Sequence, residues 1–153
     1  MVGIFLLSIG ALIYLIDRPP GQTYLLFSLP FEFSLYNNHS PFFGTIGNYL
    51  PHFLHVSAFI LLTAGLLNCG KRGYLVICLF WVIINGGFEL GQKYSDYAAA
   101  LVPAWFDRVY ILENTKNYFM HGTYCHLDIA AIIIGGISGY AFLRYTNHRR
   151  GTI

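Results

Sequence analysis

The chain is poor in charged residues for its length. Of its 153 residues only 10% are charged and 56% are hydrophobic, whereas a soluble domain usually carries about 25% charged residues. So few charged side chains cannot cover the surface of a water-soluble protein of this size. The composition therefore predicts an integral membrane protein and excludes an ordinary soluble domain.

Several other features are absent. The net charge is only +2, and no basic run or arginine–aromatic interleaving is present, so nucleic acid is not an expected partner. No internal repeat is visible, which argues against a secondary transporter. The sequence lacks an HExxH motif or comparable ligand spacing, and we predict no bound metal or other cofactor.

Four apolar segments predict an all-α membrane protein, a bundle of four transmembrane helices in one domain over residues 1–153. The segments run from about 2–16, 50–67, 73–92 and 127–145. About 20 apolar residues cross a bilayer, so the first segment is short. It lacks a basic N-terminal region and an Ala-x-Ala-like cleavage site, and we expect it to be a retained anchor rather than a signal peptide.

Basic residues near the span ends predict the orientation. They lie in the turn between spans two and three and in the C-terminal tail: Lys71, Arg72, Arg144, Arg149 and Arg150. With four spans these two regions are on one side of the membrane. The excess of Lys and Arg in cytoplasmic loops places that side, and both termini, in the cytoplasm.

The two long connections, about 17–49 and 93–126, then face outward. Both are rich in aromatic residues, for example between Thr23 and Phe43. Because aromatic side chains favour the headgroup region, we expect both connections to lie along the membrane interface. Short amphipathic helices are predicted within 97–112.

Polar residues on spans two to four are concentrated near the predicted outer surface. Asn85, Glu89 and Gln92 share one helical face because they are spaced i, i+4 and i+7. A charge inside a span costs about 2.5–3.5 kcal/mol by insertion scales, so it normally faces the bundle interior and has a partner. We expect the polar faces of spans two, three and four to converge on one outward-opening cavity. The predicted ligand-binding residues are His55, Asn85, Glu89, Gln92, His126 and Asp128.

Span four also carries small residues four apart. Ala131, Gly135 and Gly139 follow Asp128 on the same face, and small residues at this spacing allow two membrane helices to approach closely. They are predicted to be helix-packing positions.

The polar residues have structural and catalytic alternatives. Glu89 fits an interfacial helix-end carboxylate, and Asp128 fits the N-cap of span four. Glu89 and Asp128 are also the candidates for a general acid/base pair. A metal site is a weak alternative that would combine the two carboxylates with histidines. The histidine candidates are His52, His55, His121 and His126.

Three short motifs occur in order along the chain. They are Leu50-Pro51-His52-Phe53-Leu54-His55-Val56, Phe88-Glu89-Leu90-Gly91-Gln92 and Gly122-Thr123-Tyr124-Cys125-His126-Leu127-Asp128, followed by Gly135 and Gly139. Together they resemble the VanZ-like family of small bacterial membrane proteins. Cys125 stands where that family commonly has an Asp, and Ile132 where it often has an Asn. The resemblance implies a polytopic protein of the cytoplasmic membrane, with some relatives linked to glycopeptide, chiefly teicoplanin, resistance.

Together with the resemblance, the sequence predicts a bacterial cell-envelope protein, non-enzymatic or only weakly catalytic, whose outward cavity binds a lipid or a lipid-linked envelope precursor. One alternative is an intramembrane hydrolase or transferase that uses Glu89 and Asp128 as acid/base groups or metal ligands. A second alternative is a small subunit of a larger membrane complex, or a homo-oligomer, that docks a partner membrane protein through Gly135 and Gly139.

Overall fold

A computed structural model describes residues 1–18, 35–36, 41–110 and 112–150, the side chains of 148–150 excepted. The described residues contain six α-helices, one 3-10 helix and no β-strand. The elements are α1 (Val2–Asp17), α2 (Gly44–Leu67), α3 (Lys71–Lys93), α4 (Ser95–Leu101), the 3-10 helix Ala104–Arg108, α5 (Thr115–His121) and α6 (His126–Arg150).

Three of these helices are long and apolar enough to cross a membrane. They are α2 with 24 residues, α3 with 23, and α6, in which 22 residues over His126–Asn147 qualify. The prediction of an all-α membrane protein is therefore confirmed. The fourth apolar helix, α1, has 16 residues, fewer than the about 20 that a typical span needs.

Helix α2 begins six residues before the apolar segment that predicted it. Its first residue, Gly44, has a φ of 55°, in the left-handed region that favours glycine. The carboxylate of Asp17, at the end of α1, accepts hydrogen bonds from the backbone N–H groups of Phe42 (2.8 Å) and Phe43 (2.9 Å). These bonds satisfy donors that a helix start leaves without intrahelical partners. Hydrophobicity alone did not reveal this start because the acceptor lies 25 positions upstream.

Helix α2 is the centre of the bundle and packs against α1, α3 and α6, while α3 also packs against α6. The buried core between α2, α3 and α6 is aliphatic. Its principal members are Val56, Ile60, Ile77, Ile132 and Leu143.

The approach of α6 to α2 is close because α6 presents glycines there. A Cβ atom on Gly135 would lie 2.7 Å from the carbonyl oxygen of Phe53, and one on Gly139 would lie 3.1 Å from the Ile60 side chain. The hydroxyl of Ser57 donates a buried hydrogen bond of 3.0 Å to the Gly135 carbonyl oxygen. The face that carries both glycines is therefore covered by α2 of the same chain.

The connection between α3 and α6 contains the short elements α4, the 3-10 helix and α5. Two of them, α4 and the 3-10 helix, fall on or beside the predicted range 97–112. Helices α4 and α5 pack against each other and against α3. Most of the other predicted outer connection, including 19–34 and 37–40, lies outside the described residues.

Candidate functional site: a buried acid–histidine cluster

One titratable side chain from each of α2, α3 and α6 meets the other two inside the bundle. The Nδ1 atom of His52 lies 3.6 Å from Oε1 of Glu89, and its Nε2 atom lies 3.5 Å from Oδ1 of Asp128. One potential ligand atom from each of the three residues can be chosen so that all lie within 4.8 Å of one another. We call these three residues the acid–histidine cluster.

The helix directions bring the cluster to one end of the bundle. Glu89 lies four residues before the end of α3, and Asp128 lies two residues after the start of α6. At 1.5 Å of rise per residue, these side chains are about 6 Å and 3 Å along the axis from their helix ends. His52 lies eight residues after the start of α2, about 12 Å along that helix.

The cluster is buried, and its carboxylates are incompletely paired. The side chain of Glu89 is only 3% exposed, that of Asp128 12% and that of His52 18%. Glu89 Oε2 and Asp128 Oδ1 are buried without a hydrogen-bond partner in the described part of the chain. The two contacts to His52 exceed the 2.7–3.2 Å typical of N–H···O hydrogen bonds. Buried charges are normally paired and hydrogen-bonded. The two unpartnered oxygens are therefore available to bind a ligand.

Arg18 is a positive side chain close to the cluster. Its charge acts on each of the three cluster residues. The guanidinium group itself donates to the Asn48 carbonyl oxygen at 3.0 Å and lies 4.7 Å above the ring centre of Tyr14. Arg18 therefore attracts the carboxylates at a distance, while its hydrogen bond and its ring contact are with Asn48 and Tyr14.

Tyr118 approaches the cluster from the connection between α3 and α6. Burial raises the pKa of the Tyr118 hydroxyl, the negative charge of Glu89 raises this pKa further, and a hydrogen bond with Gln92 opposes the increase. The sequence prediction did not include Tyr118 or Arg18 among the site residues.

The remaining predicted ligand-binding residues contact other groups. The ring of His55 stacks on Tyr14 of α1, with 5.6 Å between centroids. The side-chain amide of Asn85 donates to the Trp81 carbonyl oxygen of its own helix at 2.8 Å. Gln92 lies against Gly122. None of these three residues belongs to the acid–histidine cluster.

The two histidines near the start of α6, His121 and His126, are exposed. His126 contacts the hydroxyl of Tyr124 at 2.9 Å, and Nδ1 of His121 lies 3.1 Å from the Asn117 carbonyl oxygen. Asp128 is inside the first turn of α6 and not at its N-cap. In the first turn its negative charge is favoured by the helix dipole.

An apolar groove of about 460 Å³ lies beside α3, lined mainly by aromatic and aliphatic side chains such as Phe88, Leu101, Phe106 and Phe119. Gly91 also lines it, where a Cβ atom would collide with the Phe119 ring at 2.5 Å. Since residues two apart on a helix point about 200° apart, Gly91 and Glu89 face opposite sides of α3. The groove is therefore separate from the cluster.

One imidazole and two carboxylates can bind a cation, exchange protons or accept hydrogen bonds from a polar headgroup. Comparisons of the chain with protein-family models, curated proteins and solved structures found no match. The resemblance to the VanZ-like family accordingly stays a prediction, and the function is argued from the cluster.

Proposed function

We propose that this protein is a bacterial cell-envelope protein that binds the headgroup of a lipid or a lipid-linked envelope precursor at the acid–histidine cluster. In this proposal α1, α2, α3 and α6 all cross the cytoplasmic membrane. Both termini are cytoplasmic, and the cluster opens outward. The position of Lys71 and Arg72 supports this orientation, because they lie at the start of α3, the end away from Glu89, and basic turns favour the cytoplasm.

The observation that carries the proposal is the burial of two carboxylates with unpartnered oxygens inside a membrane bundle. Acidic side chains in a span are costly and usually mark a binding or transport pathway. Glu89 Oε2 and Asp128 Oδ1 have no hydrogen-bond partner among the described residues. A headgroup that supplies hydroxyl or ammonium donors, or one held through a cation, would satisfy them. The VanZ-like resemblance adds a proposed context, glycopeptide and chiefly teicoplanin resistance.

Native mass spectrometry of the protein extracted with its own lipids tests this function. The test variant is Glu89→Gln, and the matched control is Glu113→Gln, which makes the same chemical change at an exposed position of the outer connection. We expect a retained lipid in the wild type and the control and its loss in Glu89→Gln. Equal lipid retention in all three proteins would contradict the proposal.

A second candidate is an intramembrane hydrolase or transferase. The observation favouring it is that His52 contacts both carboxylates through its two ring nitrogens, an arrangement suited to moving a proton between an acid and a base. Turnover of an envelope lipid with a bell-shaped pH–rate profile, abolished in Glu89→Gln, would favour this enzyme over a binding protein.

The proposal of a small subunit or a homo-oligomer needs a different docking surface from the predicted one. Gly135 and Gly139 both face α2 within the chain. A partner membrane protein would have to contact another face of the bundle.

A further inference from the structure

We infer that the acid–histidine cluster is a binding site for one divalent transition-metal ion, with Zn²⁺ the best match. One ring nitrogen of His52 and one carboxylate oxygen from each of Glu89 and Asp128 would be its ligands. The inference deepens the proposed function and rests on it in one respect. The ion would be the group through which a headgroup oxygen is held.

The spacing of the three side chains fits a small ion. Zn–N and Zn–O bonds of about 2.0–2.2 Å in tetrahedral geometry place ligand atoms about 3.3–3.6 Å apart. The Nε2 atom of His52 already lies 3.5 Å from Oδ1 of Asp128, and a full set of ligand atoms fits within 4.8 Å. Because Glu89 contacts the other ring nitrogen, Nδ1, its carboxylate must turn toward the Nε2 side of the ring for all three ligands to bind one ion.

The charge of the site also favours a divalent cation. Two ionised carboxylates carry a charge of −2, which a divalent ion bound with a neutral imidazole would balance. Such balance matters because burying uncompensated charge away from water is strongly unfavourable. Glu89 is the decisive member, since its side chain is 97% buried and its Oε2 has no partner in the described part of the chain.

The ligand types select the metal. Ca²⁺ takes six to eight oxygen ligands, and Mg²⁺ needs near-octahedral oxygen coordination, whereas imidazole and carboxylate together suit zinc. Three protein ligands leave a fourth position for water or a headgroup oxygen, as in zinc sites that bind substrates. The competing explanation is a protonated His52 that bridges the two carboxylates without any metal.

Metal uptake by the purified full-length protein separates these explanations. The protein in detergent is stripped with a chelator and titrated with Co²⁺ alone, which reports tetrahedral coordination by visible absorption, and with Zn²⁺ by calorimetry. We expect about one ion per chain. Altering a residue that only orients a metal ligand costs about 10- to 100-fold in affinity, so His52→Ala and Glu89→Gln should each weaken binding at least about 10-fold.

Two controls make the same substitutions away from the cluster. His121→Ala and Glu113→Gln alter exposed residues of the outer connection and should bind the metal like the wild type. If Glu89→Gln fails to fold, judged by loss of helical circular dichroism, Asp128→Asn replaces it. Unchanged affinity in the folded cluster variants would overturn the inference, as would the absence of uptake by folded wild-type protein.

The two proposals fail separately. Lipid retention in native mass spectra by protein that takes up no added Zn²⁺ would overturn the metal site and leave the headgroup function standing. Stoichiometric Zn²⁺ binding that depends on the cluster, without retained lipid, would support the metal site and contradict the headgroup function.

Discussion

Substitution of Gly135 by alanine is a direct test of how closely α6 approaches α2. The added Cβ atom would lie 2.7 Å from the Phe53 carbonyl oxygen and 3.2 Å from the Phe53 Cα atom. Both neighbours are backbone atoms, so no side chain can rotate away and the two helices must separate. The Ser57 hydrogen bond to the Gly135 carbonyl oxygen would lengthen as they do.

The expected magnitude combines two opposing effects. Overpacking of a tight contact typically costs about 1–3 kcal/mol, whereas replacing glycine by alanine within a helix gains about 0.5–1 kcal/mol. The matched control is Gly86→Ala in α3, where a new Cβ atom would meet nothing within 4 Å. Because the propensity gain is common to both variants, Gly135→Ala should be less stable than Gly86→Ala by about 1–3 kcal/mol.

Equilibrium unfolding in mixed micelles, followed by circular dichroism, measures this difference in the free energy of unfolding. Gly135→Ala should unfold at lower denaturant than the wild type, and Gly86→Ala at the same or higher denaturant. Equal stability of the two variants would refute the reasoning, because it would mean that α2 and α6 are not in contact at Gly135.

Two further predictions concern the end of the bundle that holds the acid–histidine cluster. Asp17→Ala should destabilise the start of α2 by about 0.5–2 kcal/mol, because it removes the side-chain acceptor of the Phe42 and Phe43 N–H groups. Hydrogen exchange at these two amides should become faster, while exchange in α6, the internal control, should not change. The raised pKa of Tyr118, caused first by burial and then by Glu89, means that its hydroxyl keeps its proton above the ordinary tyrosine value of about 10. In an ultraviolet titration the Tyr118→Phe variant should show less tyrosinate absorbance than the wild type only well above pH 10. A difference already present near pH 10 would show that the hydroxyl is accessible to water.

Part of the fold could be predicted because it depends on composition along the chain. All four predicted apolar segments are helices that extend one to six residues beyond one or both predicted ends, and two short elements formed at or beside the predicted interfacial region. The early start of α2 could not be predicted, since the carboxylate of Asp17 that binds the N–H groups before Gly44 belongs to another helix.

The candidate site was predictable only as a set of residues at a common depth. Polar residues that recur with helical spacing in a span share one face, which is a local property of the chain. For this reason Glu89 and Asp128 were identified as candidates, while Asn85 and Gln92 were grouped with them on the same evidence. In the structure, the side chain of Asn85 is hydrogen-bonded to the backbone of its own helix and that of Gln92 lies beside Gly122.

Hydropathy and helical periodicity depend only on residues that are near one another in the chain. The amino-acid sequence was therefore enough to predict that the chain forms apolar helices and that acidic and histidine residues lie near one end of them. That His52, rather than His55, lies between Glu89 and Asp128 is visible only in the folded bundle. That choice depends on the rotation of each helix about its axis. Apolar residues surround the spans on most sides, so packing contacts such as Gly135 against Phe53, and not hydrophobicity, select the rotation.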